Sequence, residues 1–223
     1  MEQRNKIVSL KFDIKNIGPL FYLPIVTGLL ASGYCLLRNY GYDNVEVIKN
    51  IRIGLNIFCV PFVFIWIIGL FQDLLDSEGK ETLLSLPYNN LSYGILRVCR
   101  MFGLYLIYFY ILFITLCIIL QCLDDISLVD LFFPTISIFF YASMAFLVIV
   151  VTKSMAISYA IVSVFTIFAY LTRGAAVGPI NPFYWSFPRP FLDSNYVMLV
   201  LVTISTYMLY ISTIIFKKRN LLL

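Results

Sequence analysis

Apolar runs alternate with short polar stretches along almost the whole chain. Six runs come close to the roughly 20 residues that a helix needs to cross a bilayer: 18–37, 51–71, 101–121, 131–151, 154–171 and 196–216. The fifth is the shortest, and Lys153 in "VVTKSMA" marks a tight turn separating it from the fourth. Glycine and proline inside the runs (Gly28, Gly33, Pro61, Gly69) suit spans, because neighbouring helices re-satisfy the backbone groups that a break sets free. Ahead of the first run, Ile7, Leu10, Ile14 and Ile17 recur at helical spacing with Lys6, Lys11 and Lys15 between them. That pattern predicts an amphipathic helix over 1–17 lying on an anionic leaflet, with a frayed polar tail as the alternative. The expected fold is therefore all-α and integral to the membrane, with one six-helix transmembrane domain over 18–223.

The composition agrees. Apolar residues make up 61% of the chain and charged residues 13%, with a mean hydropathy of +0.91; a soluble domain carries about 25% charged residues. No small-x-small cleavage site follows the first run, so it reads as a retained helix rather than a signal peptide. In "LASGYC", Tyr34 occupies the place where a lipoprotein box needs a small residue before Cys35. Orientation follows from the basic residues. With a cytoplasmic N-terminus, the inside holds Arg4, Lys6, Lys11, Lys15, Lys80, Arg97, Arg100, Lys153, Lys217, Lys218 and Arg219. Arg38, Lys49, Arg52, Arg173 and Arg189 fall outside, so the bias places both termini in the cytoplasm of a multi-pass plasma-membrane protein. Lys-, Ile- and Asn-rich usage points to an AT-rich bacterial genome.

Candidate chemistry is sparse. The chain has no histidine, which removes the usual neutral-pH base and the commonest transition-metal ligand, and no metal site is expected. The five cysteines lack CxxC spacing and read as small hydrophobes. Asp124, Asp125 and Asp130 form the densest acidic group and read as a solvated outer loop without catalytic partners. No acid or base sits in the middle of a span, while Arg52 and Lys153 lie at span ends, where they can snorkel. A proton-coupled carrier and a charge-lined channel are thereby disfavoured. The chain also carries no GxxxxGK[ST] phosphate loop. Energy for uphill transport would have to enter from outside the membrane.

The segment 72–100, between the second and third runs, is where it could enter. In "QDLLDSEGKETLLSLP", acids interleave with leucines before Pro87 ends the pattern. On its residues alone, such a surface-lying helix is either a docking element for a soluble partner or a connector covering helix ends. Asp76, Glu78 and Gly79, followed by Glu81, Thr82, Leu83, Leu84, Ser85, Leu86 and Pro87, resemble the coupling loop of the permease subunits of ABC type-2 exporters. That family reads acid, Gly-Thr, Glu, Leu-Leu-x-x-Pro and then a basic residue. Here Lys80 and Glu81 separate Gly79 from Thr82, and Tyr88-Asn89-Asn90 stands in place of the basic follow-on. Between the last two spans, 172–195 holds "GPINPFYWSFPRPF", and the run Asn181, Pro182, Phe183, Tyr184 and Trp185 is similar to the family's Asn-Pro-aromatic outer segment. Four prolines and the aromatics there fit short re-entrant pieces or a plain interfacial aromatic belt.

The resemblance implies two ABC ATPase subunits carrying the ATP and Mg, and a second permease, identical or related, at the side of this one. It also implies a route lined by spans two and five. Tyr159, Ser163, Thr166 and Tyr170 share one face of span five, and Asn56 is the amide well inside span two. Polar groups at such depth face a water-filled route or hydrogen-bond to neighbouring helices. Tyr105, Tyr108 and Thr115 of span three form a similar stripe. A charge-free route suits export of an amphipathic peptide, antibiotic or lipid-like molecule. A non-transporting sensor or immunity subunit is the alternative, an intramembrane enzyme a more distant one, and nucleic acid is not an expected partner.

Overall fold

The computed structural model describes residues 10–39, 44–72 and 94–220, and among them every regular element is helical. The helices are α1 (Leu10–Ile17), α2 (Tyr22–Arg38), α3 (Asn44–Phe58), α4 (Val63–Gly69), α5 (Ile95–Ile119), α6 (Leu128–Thr152), α7 (Met155–Leu171) and α8 (Ser194–Asn220). Short 3-10 turns at Gly18–Phe21, Val60–Phe62 and Leu123–Asp125 join neighbours. Five stretches are long and apolar enough to cross a membrane: Leu10–Arg38, Glu46–Gly69, Ile95–Ile119, Leu128–Thr152 and Ser194–Lys217. Met155–Leu171, the expected fifth span, is apolar but only 17 residues long. The end of the bundle that holds α1 and the last turn of α8 is the base, and the opposite end the crown.

α6 is the centre of the bundle. It packs on α4, α5, α7 and α8, and from Phe140 to Phe146 every side chain is buried. Phe71 stacks on Phe146 at 5.2 Å, and Phe216 meets both rings, so aromatic contacts tie α4, α6 and α8 at the base. Small residues allow close approach elsewhere. A Cβ on Gly28 would land on the Tyr108 hydroxyl, which donates to the carbonyls of Pro24 and Ile25 at 3.1 Å. Gly28 thus lets α5 lock onto α2.

The turns follow from local chemistry. Lys153, left-handed at φ 58°, ends α6, and Ser154 starts α7 by accepting from the Ile157 amide. The predicted tight turn falls at this place. Ser127 and Asp130 form a capping box that starts α6. Gly18 adopts φ +62° and Pro19 follows it, so α1 is set off from the first span where Asn16-Ile17-Gly18-Pro19 interrupts the amphipathic pattern.

Three boundaries differ from expectation. The second span is broken, not continuous: Pro61 has no amide hydrogen, and the chain passes through Val60–Phe62 before α4 resumes. The Cys59 carbonyl at the break accepts the Tyr105 hydroxyl at 2.6 Å and the Phe62 amide at 3.0 Å. α5, the third expected span, begins at Ile95 instead of 101, taking Arg97 and Arg100 out of the expected connecting loop. That charged turn can be helical because Asp13 neutralises it. Between α7 and α8, residues 172–193 make consecutive turns with no helix, so the expected re-entrant pieces are an irregular segment. Its central run from Asn181 through Ser186 is not an exposed belt, because all six residues are buried, while Phe191 is exposed.

Candidate functional site: a neutral groove under a polar crown

α7 supplies a hydroxyl face because Tyr159, Ser163, Thr166 and Tyr170 fall three or four residues apart on a helix. All four line one groove of about 530 Å³ between α7 and the broken second span. Ile57, Phe58, Pro61, Phe62, Phe64 and Ile65 form the opposite wall, with Leu20 and Leu23 at the base end and Phe183 at the crown end. The break at Cys59–Phe62 sits within that wall, where Pro61 and Phe62 line the groove. Tyr159 donates to the Ile65 carbonyl at 3.4 Å, bridging the two walls near the base. Thr166 bonds back to Val162 of its own helix at 2.7 Å. Among the described residues the lining is apolar with a single line of hydroxyls and no ionised side chain. Such a surface takes aliphatic and aromatic groups and offers a few hydrogen bonds to orient them.

Asn56 does not join this groove. It is buried toward the crown, where its amide donates to the Ser186 hydroxyl at 2.9 Å, and that hydroxyl donates to the Arg52 carbonyl at 3.1 Å. The residue expected on the route therefore fastens span two to the 172–193 segment. Tyr105 and Tyr108 likewise spend their hydroxyls on backbone carbonyls within the bundle, and Thr115 is exposed.

The crown is organised by Asp130. Its Oδ1 accepts the Trp185 indole N–H at 2.8 Å, and its Oδ2 accepts Arg52 Nη2 at 2.9 Å, the Ser127 amide at 2.9 Å and the Ser127 hydroxyl at 2.6 Å. Asp124 and Asp125 are exposed as expected, whereas Asp130 is buried in an ion pair. Arg52 is correspondingly an ion-pair partner and not a free snorkelling charge. Around this centre Phe109 and Phe113 pack on Trp185, Phe133 stacks on Tyr184, and Tyr141 and Tyr170 meet Phe183. Asn181 accepts the Phe183 amide at 2.9 Å, and the Ser137 hydroxyl donates to the Pro182 carbonyl at 3.0 Å. Burial pushes the Cys122 thiol up in the neighbouring turn, which keeps it protonated and unreactive.

At the base, Asp13 of α1 is fully buried and receives Arg97 Nε at 2.7 Å together with Arg100 Nη2. Asn16 Nδ2 donates to the Leu70 carbonyl at 2.9 Å, and Trp66 Nε1 to the Phe21 carbonyl at 2.9 Å. α1 is thereby bound to the ends of α4 and α5 that flank the segment 73–93. Asp76, Glu78, Gly79, Glu81, Thr82, Leu83, Leu84, Ser85, Leu86 and Pro87 lie outside the described residues. Among the described residues no group of three or more acids or cysteines is placed to hold a metal ion.

Two signals for these clusters stand in the sequence. Ser127-x-x-Asp130 is a capping-box spacing, and Asp13 falls on the same helical face as Leu10 and Ile17, where an acid needs a partner. Comparison with known proteins finds no matching family model, no matching curated protein and no matching solved structure.

Proposed function

We propose that this chain is the permease subunit of an ATP-binding cassette exporter that moves a neutral amphipathic molecule across the plasma membrane. The observation that carries the reading is the groove: the hydroxyl face of span five lies opposite a broken span two, with no charge between them. The coupling-like sequence from Glu78 to Pro87 supports it from the other direction, because it directly follows the span that forms one wall. In this reading α7 is the fifth of six spans. Its 17 residues extend about 25 Å at 1.5 Å per residue, and the flanking turns complete the crossing. Both termini are cytoplasmic, two ATPase subunits bind ATP and Mg at the base, and a second permease covers the open side of the groove. The cargo is a peptide, antibiotic or lipid-like molecule that makes apolar contacts and a few hydrogen bonds.

The test is co-expression with a Walker-motif ATPase encoded beside this chain. The pair should copurify and hydrolyse ATP, and Glu81→Ala or Leu84→Ala should reduce both association and turnover by about tenfold, the loss of one well-made contact. No such ATPase, no association, or turnover indifferent to both substitutions overturns the reading. A complex that hydrolyses ATP but loads no amphipathic compound into inside-out vesicles would favour the sensor or immunity subunit.

A further inference from the structure

We propose that the crown segment 172–193 is a gate, with Phe183 as the stop at the crown end of the groove and Trp185–Asp130–Arg52 as the latch that keeps it shut. As a gate for cargo it rests on the exporter reading; as a closure of the groove it does not.

Phe183 is the one residue of this segment that lines the groove. Its ring is 1% exposed and wedged between Tyr170 of α7, at 6.0 Å, and Tyr141 of α6, at 6.4 Å. The backbone on either side is fixed by side chains and not by a helix. Asn181 Oδ1 holds the Phe183 amide, and the rest of the Asn181 side chain fills the space where a Cβ on Gly174 would stand. Gly174 itself sits at φ +73°, so the segment's fold back over the groove depends on that glycine. Two residues beyond the stop, Trp185 reaches Asp130, and Ser186 next to it bonds to Asn56 and to the Arg52 backbone.

What makes this closure a gate is where its fastenings are rooted. From α3 the Arg52 carbonyl and the Asn56 amide hold Ser186, the Arg52 guanidinium pairs with the Asp130 that holds Trp185, and Ile57 and Phe58, directly after Asn56 on that helix, line the groove. A shift of α3 about the break at Cys59–Phe62 therefore strains the latch and reshapes the groove in one movement. Beyond the ring contacts of Phe183, Tyr184 and Trp185, the grip consists of a few side-chain bonds, and the Arg52 side chain at the latch is 32% exposed, so water can take its place. Segments held this way open at lower cost than helices packed by whole faces.

The experiment reads access of water to the groove. Ser163→Cys is introduced with Cys99→Ser, since Cys99 is the exposed native cysteine among the described residues, and the protein is reconstituted in lipid nanodiscs. A charged methanethiosulfonate, which cannot cross lipid, is the probe. The S163C thiol should react slowly, and adding Trp185→Phe, which keeps a ring but removes the latch donor, should raise the rate by about tenfold, the worth of one buried hydrogen bond to a charged acceptor. Phe183→Ala, which leaves the latch residues in place, should raise it at least as much. A D124C thiol on the exposed crown turn should react equally fast in every background. The gate is overturned if S163C already reacts as fast as D124C, or if neither Trp185→Phe nor Phe183→Ala changes its rate. Asp130→Asn, which takes the charge from the centre of the latch, should raise the rate as well, and no change there overturns the latch. Labelling needs no ATPase, so a chain that gates as described yet binds no ATPase would refute only the exporter reading. Normal coupling to an ATPase with unchanged labelling would refute only the gate.

Discussion

The base and the crown solve the same problem with different exposure. Each end of the bundle holds a buried carboxylate that ties an element outside the main bundle to the spans. At the base, Asp13 comes from that element, α1, and is inserted against Arg97, which is itself 1% exposed, and against Arg100. At the crown the carboxylate belongs to a central helix, and the element it holds brings a tryptophan. Its charged partner Arg52 stays about one-third exposed. The difference teaches what each cluster is for. A carboxylate shared by two guanidinium groups, one of them fully buried, is expensive to break, because the remaining charge cannot reach water without moving α5. A carboxylate whose cation already touches solvent can be released and remade. The base therefore behaves as a permanent joint and the crown as a fastening that can let go.

This contrast can be broken by substitution. Asp13→Asn should have the largest effect, a loss of about 3–5 kcal/mol, since it takes the carboxylate out of a buried ion pair. The midpoint of SDS-induced unfolding of the purified protein measures it. Asp130→Asn should cost about 2 kcal/mol, because the amide keeps an acceptor for Trp185 while Arg52 turns to water. Equal losses at the two sites would mean that depth does not separate the joint from the fastening. The smallest change is expected from Asn16→Ala, about 1 kcal/mol for the bond to the Leu70 carbonyl. That substitution should make α1 more open to proteolysis while leaving the crown untouched. Should it instead loosen the whole bundle, Asn16 and Asp13 would have to be counted as one cooperative unit.

Much of the groove is legible in the residues themselves. Helical periodicity fixes which side chains of one helix share a face, so Tyr159, Ser163, Thr166 and Tyr170 form a recognisable set. Pro61 reads as ordinary inside a span, because neighbouring helices can re-satisfy the group it frees, and the break it makes in span two shows only in the structure. Asn56 is different, because depth in a span says that an amide needs a partner but not which one. Its partner, Ser186, lies 130 residues away. The aromatic run from Phe183 to Trp185 reads as readily as a lipid-facing belt for a similar reason, since composition does not distinguish a ring that faces lipid from one turned inward.

Local physics, then, determines by sequence alone that this chain is helical with helices apolar enough to cross a membrane, roughly where those helices run, where α6 turns into α7, and which face of the fifth apolar run is polar. Each of those depends on hydrophobicity, backbone freedom or spacing within a few residues. The tertiary structure decided everything that depends on pairing across the chain. It put Asp13 against Arg97 and Asp130 against Arg52, separated by 84 and 78 positions, and so drew the start of α5 back toward the base, to Ile95. It also folded residues 181–186 into the crown over the groove. Charges in an apolar setting must find a counter-charge, but nothing local says which one, because the choice is made by the packing that brings them together.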